Sequence, residues 1–120
     1  MTRYYMDLIC WQKAMDLVTE IYRLTKQLPK EEVFGLASQL RRAAVSVPGY
    51  IAEGQGISSR KEFLYFLGNA KSSLSEVETQ ILIARNLGYI CDEDSNALLN
   101  LSAEVGRILN GLLASLRNKQ

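Results

Sequence analysis

The chain contains no histidine, the residue that proteins use most often as a general base and as a transition-metal ligand. Cysteine is also scarce, because Cys10 and Cys91 are too few to build a disulfide framework. In a reducing compartment such residues are expected to behave as small buried apolar side chains. We therefore expect no enzymatic activity, no metal and no cofactor, and no small-molecule substrate is evident.

Excess charge and long apolar runs are missing as well. Fourteen Lys and Arg residues balance thirteen Asp and Glu, which leaves a net charge of +1. A chain that binds nucleic acid by overall charge is far more basic, so any such contact must come from a local patch. No apolar run approaches the ~18 residues of a membrane span, and the first residues do not resemble a secretory signal. We expect a cytoplasmic protein with no membrane partner.

The 120 residues are 48% hydrophobic and 22% charged, which is typical of one globular domain, residues 1–120. No segment shows the alternation of a β-strand, whereas four segments repeat apolar residues every three or four positions. Short breaks separate these segments. The sequence thus predicts an all-α fold, an antiparallel up-and-down four-helix bundle.

The first helix is predicted from Leu8 to about Leu28, with Asp7 as its cap. It carries two adjacent apolar stripes and therefore a wide apolar face. The first stripe is Leu8, Trp11, Met15, Val18, Tyr22 and Thr25. The second is Cys10, Ala14, Leu17, Ile21, Leu24 and Leu28.

The second helix follows a break at Pro29 and has Pro48 in its interior. Its apolar stripe is Val33, Leu36, Leu40, Ala44, Val47 and Ile51. Because proline removes the bond to the carbonyl of Ala44, we expect a kink at Pro48 that need not end the helix. Gly54 and Gly56 favour a left-handed cap that ends it.

The third helix is predicted from Arg60 to about Leu87, since Ser59 and Glu62 have the spacing of a capping box. Gly88 closes it. Its stripe has a seven-residue repeat and is Phe63, Leu67, Ala70, Leu74, Val77, Ile81, Ala84 and Gly88. A strip of small or polar residues lies beside it: Asn69, Ser72, Ser73, Glu76 and Gln80.

The fourth helix again carries two apolar stripes. Acidic residues cap and charge its start, namely Asp92, Glu93 and Asp94. The stripes are Leu98, Leu101, Val105, Ile108 and Leu112, with Leu109, Leu113 and Leu116 beside them. Because the outer stripes of the first and fourth helices exceed what one core covers, we expect the chain to associate with itself. The alternative is that the fourth helix is simply deeply buried.

Four cations form the candidate nucleic-acid-binding patch, provided that the second and third helices bring them together: Arg41, Arg42, Arg60 and Lys61. In the alternative interpretation, Arg41 pairs with an internal carboxylate while Arg42 is solvated or at a subunit contact. The candidate carboxylates are Glu53, Glu76 and Glu78. Glu76 and Glu78 point about 200° apart on a helix and cannot share one metal ion. We assign structural roles to these three carboxylates, to Pro48 and to Gly54.

Several short motifs between Leu8 and the start of the fourth helix resemble a known family. They are Trp11-Gln12, Phe34-Gly35-Leu36, Gln39 with Arg41-Arg42-Ala43-Ala44, Ser46 with Pro48, Ile51-Ala52-Glu53-Gly54, and Leu87-Gly88-Tyr89. The family is that of bacterial four-helix-bundle proteins first noted as open reading frames in intervening sequences of 23S ribosomal RNA genes. The resemblance implies an up-and-down bundle that assembles into a ring, commonly a homopentamer.

The accessory variability determinant of diversity-generating retroelements is similar to this family. It is a basic pentameric barrel that works with a reverse transcriptase and binds nucleic acid, whereas the present chain is nearly neutral. The leading hypothesis is a non-enzymatic oligomeric scaffold or adaptor that contacts RNA or a nucleic-acid-handling protein. The alternative is an accessory protein of a reverse transcriptase or ribosomal RNA locus that binds RNA or DNA directly.

Overall fold

The computed structural model describes residues 5–56 and 59–118, and the regular elements in these ranges are all helical. The α-helices are α1 (Ile9–Thr25), α2 (Leu36–Gln55), α3 (Arg60–Asn86) and α4 (Asp92–Arg117). Short 3₁₀ helices at Tyr5–Asp7 and Lys30–Glu32 precede α1 and α2. Each helix contacts the next, and α1 also contacts α4, so the four surround one main core, beside which Leu28, Ala37, Ala84 and Ile90 form a smaller buried cluster. The predicted all-α four-helix bundle is confirmed.

The core is built from apolar residues of all four helices. The second stripe of α1 is entirely buried, from Cys10 to Leu28. In α3, the six stripe residues between Leu67 and Ala84 are buried, while Phe63 is half-buried. The other two helices bury Leu40, Ala44, Val47 and Ile51 of α2 and Leu98, Val105, Leu109 and Leu113 of α4. Helical spacing in the sequence therefore located the buried face of α3 and most of that of α2, whereas the buried residues of α4 come from both of its predicted stripes.

Two helix ends match their predicted motifs. The Ser59 hydroxyl accepts a hydrogen bond from the Glu62 N–H at 3.3 Å, which caps α3. At the other end Gly88 has a φ of 78°, and the Tyr89 N–H donates to the Ala84 carbonyl at 2.9 Å. This is the left-handed arrangement in which glycine is favoured after a helix.

The predicted caps of α1 and α4 are wrong. Asp7 ends a 3₁₀ helix, and the residue before α1 is Leu8, whose N–H donates to the Tyr5 carbonyl at 3.0 Å. The 3₁₀ turn thus leads directly into α1 without a side-chain cap. At α4 the cap is Cys91, whose sulfur accepts from the Asp94 N–H at 3.4 Å. The acidic residues occupy the first turn, where they still face the positive end of the helix dipole.

The boundaries of α1 and α2 also differ from the prediction. Helix α1 ends at Thr25, because the chain tightens to i→i+3 bonds through Leu28. Val33 lies in a turn before α2 and is 49% exposed, so it does not belong to the apolar stripe. Gly56 ends α2 as expected, yet its φ of −74° is right-handed. Its N–H donates to the Ala52 carbonyl, which needs no left-handed residue.

Helix α2 runs without interruption past Pro48, which is buried. The helix therefore does not end there, and the kink stays a prediction. Near its end Gly54 packs closely on α3, since a Cβ atom at this position would lie 2.8 Å from Cδ1 of Phe63 and 2.9 Å from Cβ of Phe66. The absence of a side chain at Gly54 lets the two helices approach each other at this end of the bundle.

The apolar surplus is distributed differently from the prediction. On the first stripe of α1, Met15 and Tyr22 are 39% and 42% exposed. Within residues 92–118, by contrast, no large hydrophobic side chain is exposed, because α4 packs on both α1 and α3. For α4 the alternative of deep burial is closer to the structure. Across the described ranges, no helix is long and apolar enough to cross a membrane.

Candidate interaction groove

An open groove runs between α2 and α3, beside the start of α2. Its upper part has a volume of about 400 Å³ and is lined by Leu36, Gln39, Ser72, Ser75, Glu76, Thr79, Gln80 and Ile83. Its lower part has a volume of about 280 Å³ and is lined by Gln39, Arg42, Ala43, Ser46, Tyr50, Ser73 and Glu76. We call the two parts together the α2–α3 groove. Four members of the small or polar strip predicted on the third helix line it.

The groove contains an unsatisfied polar atom. Gln80 is only 9% exposed, and its Oε1 has no hydrogen-bond partner among the described residues. A buried amide without a partner costs free energy, so such groups are rare inside folded proteins. Gln80 is among the residues that line the upper part of the groove.

An exposed aromatic residue stands at the upper end of the groove. Phe34 is 96% exposed in the turn that leads into α2, and we call residues 33–35 the Phe34 turn. Ile83 and Leu87, on the last turns of α3 and just beyond, are 42% and 56% exposed. This end of the bundle therefore presents apolar side chains to the surroundings.

The Phe34 turn is held in place by Glu32. Its Oε1 accepts from the Leu36 N–H at 3.0 Å, which satisfies a free donor at the start of α2. Its Oε2 accepts from the Tyr89 hydroxyl, also at 3.0 Å. Donation to this carboxylate, with some burial, raises the pKa of Tyr89 above its usual value. One side chain thus connects both loops at this end of the bundle.

Within residues 5–56 and 59–118, Arg41 does not pair with a carboxylate, in contrast to the sequence-based alternative. Its Nε donates to Oγ1 of Thr25 at 2.8 Å, and its guanidinium carbon lies 4.8 Å from the centre of the Tyr22 ring. Both partners belong to α1, because Arg41 lies on the side of α2 that faces α1. The candidate carboxylates are elsewhere, on α3 or about three turns along α2.

The four cations of the predicted patch lie in two places. Arg41 and Arg42 are in the second turn of α2, and Arg42 lines the groove. Arg60 and Lys61 are exposed at the start of α3, which packs near the other end of α2. About fourteen helical residues, or ~21 Å, separate the two pairs. They do not form one continuous surface for a phosphate.

The three carboxylates have separate surroundings. Glu78 accepts a hydrogen bond from the hydroxyl of Ser102 at 2.9 Å, which connects α3 to α4. Glu76 is exposed and lines the groove, and Glu53 is exposed on α2. The described residues contain no group of three acidic or cysteine side chains placed to hold a metal. Burial raises the pKa of the Cys10 thiol to about 11, so Cys10 stays protonated near neutral pH.

The family model described as 23S rRNA-intervening sequence protein matches residues 6–111 of the chain. The chain belongs to this family. The match extends well into α4, further along the chain than the motifs noted in the sequence. The resemblance to the 23S rRNA-intervening sequence proteins that those motifs indicated is thereby confirmed. Ring formation and nucleic-acid binding remain predictions.

A solved structure from Bacteroides thetaiotaomicron, described as a protein with unknown function from the S23 ribosomal protein family, is similar to the chain. The TM-score is 0.81 at 24% sequence identity, and the alignment covers 88% of this chain and 98% of that one. At this identity the similarity establishes the fold of this 23S rRNA-intervening sequence family member and nothing further. No curated protein is significantly similar to the present chain.

The sequence alone did not reveal Phe34, the most exposed large hydrophobic residue in the described part of this family member, as a site residue. It appeared only within a family motif, beside Gly35. A usable signal was present, since Phe34 is an aromatic residue in a break between helices and lies off the apolar stripe. No local signal indicates that Glu32 meets Tyr89, because 57 residues separate them.

Proposed function

We propose that the protein is a non-enzymatic scaffold or adaptor that assembles with copies of itself into a ring and contacts RNA or a nucleic-acid-handling protein. The observation that carries the proposal is the exposure of large apolar side chains along α1, in the 3₁₀ helix before it and around the Phe34 turn. Ile9 is 60% exposed, Met6 54% and Phe34 96%. Apolar area of this kind is unfavourable in water, and self-association removes it.

The non-enzymatic part of the proposal rests on the chain's composition and on the groove. Without histidine, a hydroxyl nucleophile needs another activator, such as lysine, a carboxylate or a bound metal. In the groove, the hydroxyl of Ser46 instead donates to the Arg42 carbonyl, and that of Thr79 to the Ser75 carbonyl. These hydroxyls bond to helix carbonyls, an arrangement that supports a structural role.

The mass of the purified protein in solution tests the assembly. Sedimentation velocity or light scattering at micromolar concentration should give several times the 13.5 kDa of one chain, and about five times for a homopentamer. A mass of one chain at that concentration would reject the proposal.

Direct nucleic-acid binding is a second candidate, supported by the ribosomal RNA named in the family description and by Arg41. Thr25 occupies the Nε of Arg41, so the two terminal nitrogens stay available for a phosphate. A gel shift at low salt should show binding that weakens as salt rises, and Arg41→Ala or Arg42→Ala should reduce it. Arg60→Ala, at the other end of α2, is the matched control. No shift at low salt would reject this candidate.

A further inference from the structure

The Phe34 ring has almost no cover within its own protomer. It is 96% exposed. The turn that carries it is held by hydrogen bonds that the Glu32 carboxylate accepts from the Leu36 N–H and the Tyr89 hydroxyl. A large aromatic side chain on a fixed turn loses little conformational freedom when it is buried by a partner. Residues of this kind are typical anchors of protein interfaces.

The α2–α3 groove has the dimensions and the lining to receive such an anchor. Its upper part has about 400 Å³, within the range of roughly 300–1,000 Å³ that small-ligand pockets occupy. Leu36 and Ile83 supply aliphatic surface there, and Ser72, Ser75 and Thr79 are small enough to allow close approach. Gln80, whose buried Oε1 has no hydrogen-bond partner among the described residues, adds a polar side chain to this lining.

We propose that Phe34 of one protomer inserts into the α2–α3 groove of a second copy of this chain. The inference rests on the proposed self-association and names its contact. Phe34 does not fill the groove of its own protomer, as its exposure shows. Each protomer therefore carries one aromatic anchor and one empty receptor. A contact between two different surfaces repeats from copy to copy, and it closes into a ring when the rotation allows.

The positions of the two surfaces favour a closed assembly over a filament. Phe34 is two residues from Leu36, so it lies within ~7 Å of the groove's upper end. Rotation about an axis parallel to the helices keeps height constant, so a closed assembly about such an axis requires an anchor and a receptor at one height, as they are here. A second, apolar pocket of about 340 Å³ is lined by Asp7, Leu8, Ile9, Cys10, Ile108 and Leu112. It lies ~24 Å away, at the other end of α1, and would give a filament if it received Phe34.

Three variants test the contact through the mass of the assembly. Phe34→Ser removes the anchor, and Thr79→Arg fills the groove from an exposed position. Tyr65→Ser is the matched control, since Tyr65 is an aromatic residue with 65% exposure on α3 but outside the groove. Because all three residues are exposed, circular dichroism should show an unchanged fold. The first two variants should raise the concentration needed for assembly by about thirtyfold or more, as loss of an interface anchor does, and the control should not.

Mixing the two defective variants tests which surfaces meet. In Phe34→Ser the groove is intact, and in Thr79→Arg the anchor is intact, so one good contact forms in each mixed pair. The expected product is a heterodimer that neither variant forms alone. A mixture that stays monomeric, or a Phe34→Ser variant that assembles like the unmodified protein, would overturn the inference.

A cross-link gives a second readout that does not depend on weakened assembly. With Cys91→Ser to remove the exposed native thiol, Phe34→Cys and Thr79→Cys in one chain should form a ladder of disulfide-linked oligomers under oxidation. A chain with Tyr65→Cys in place of Phe34→Cys should give no ladder. A ladder as strong as that of the Phe34→Cys chain would overturn the inference. An unmodified protein that is monomeric rejects the proposed function itself. An unmodified oligomer with an unaffected Phe34→Ser variant rejects only this contact.

Discussion

The hydroxyl of Tyr89 donates a 3.0 Å hydrogen bond to Oε2 of Glu32 and so joins the α3–α4 connection to the α1–α2 connection. The same carboxylate accepts from the Leu36 N–H through Oε1. A negative charge at the start of α2 is also favoured by the helix dipole. The position of the Phe34 turn therefore depends on one side chain that serves two elements.

Removing this carboxylate should weaken the fold. Glu32→Ala should lower the free energy of unfolding by about 1 kcal/mol, as loss of a helix cap does, and Glu32→Gln by less because its amide oxygen still accepts. Tyr89→Phe should also destabilise. Adding Tyr89→Phe to Glu32→Ala should cost nothing more, since the bond is already lost. Urea unfolding at one fixed protein concentration measures these values, and full additivity would contradict the bond.

Two glycines of α2 should respond in opposite ways to alanine. Gly54→Ala places a methyl group 2.8 Å from the Phe63 ring, so it should lower the free energy of unfolding by about 1–3 kcal/mol. At Gly49 nothing lies within 4 Å of the new Cβ, so Gly49→Ala should stabilise the helix by about 0.5–1 kcal/mol. Thermal unfolding of both variants checks this. Equal effects would mean that α2 and α3 are not in close contact at Gly54.

The bond between Arg41 and Thr25 should appear as coupling between the two side chains. Thr25 is 3% exposed, and Thr25→Val removes its hydroxyl at a cost of about 1 kcal/mol. In a double-mutant cycle with Arg41→Ala, we expect a coupling energy of about 0.5–1.5 kcal/mol. The Arg42 side chain is exposed, so the coupling energy between Arg42→Ala and Thr25→Val should be close to zero. Urea unfolding of the unmodified protein, the two single variants and the double variant gives the coupling energy. If Arg41 and Arg42 show equal coupling to Thr25, the bond between Arg41 and Thr25 is rejected.

The stability of the protein should fall at alkaline pH. Burial raises the pKa of Cys10 from 9.0 to about 11, so between these values the unfolded chain loses a proton that the folded chain keeps. The unfolded state then binds fewer protons, and the free energy of unfolding decreases as pH rises. Tyr89 adds to this decrease above pH 10, because its pKa is raised as well. In Cys10→Ala, the urea midpoint should depend less on pH between pH 9 and about 11. An unchanged slope of the midpoint against pH would contradict the burial of Cys10.

The two thiols should also differ in reactivity at neutral pH. Cys91 is exposed and should react promptly with a disulfide reagent, whereas Cys10 is 1% exposed and should react only when the protein unfolds. One rapid equivalent of released chromophore, and a second in denaturant, is the expected result. Cys91→Ser should abolish the rapid phase alone.

Much of the fold follows from local spacing in the sequence. The repeat from Leu67 to Ala84 identified the buried face of α3, and the Ser59 and Gly88 signals located its ends. Such features need only the geometry of one helix. The cap at Cys91 was missed because aspartates follow it directly, and local rules favour them as caps.

The site depends on relationships between helices, and these were harder to predict. Arg41 was expected beside a carboxylate, yet the packing of α1 on α2 places Thr25 and Tyr22 there instead. The patch of four cations was expected where adjacent helices meet, although the antiparallel direction of α2 and α3 keeps the two pairs apart. Register and direction between helices arise from the whole core, and spacing within one segment does not contain them.

The even number of antiparallel helices has a practical consequence. Helix α1 begins, and α4 ends, at the end of the bundle away from Phe34, ~24 Å along α1. A fluorescent protein or an affinity tag joined before Ile9 or after Arg117 would therefore leave the Phe34 turn and the upper groove unobstructed. Labelled and unlabelled chains could then be mixed, and subunit exchange could be followed by energy transfer between them.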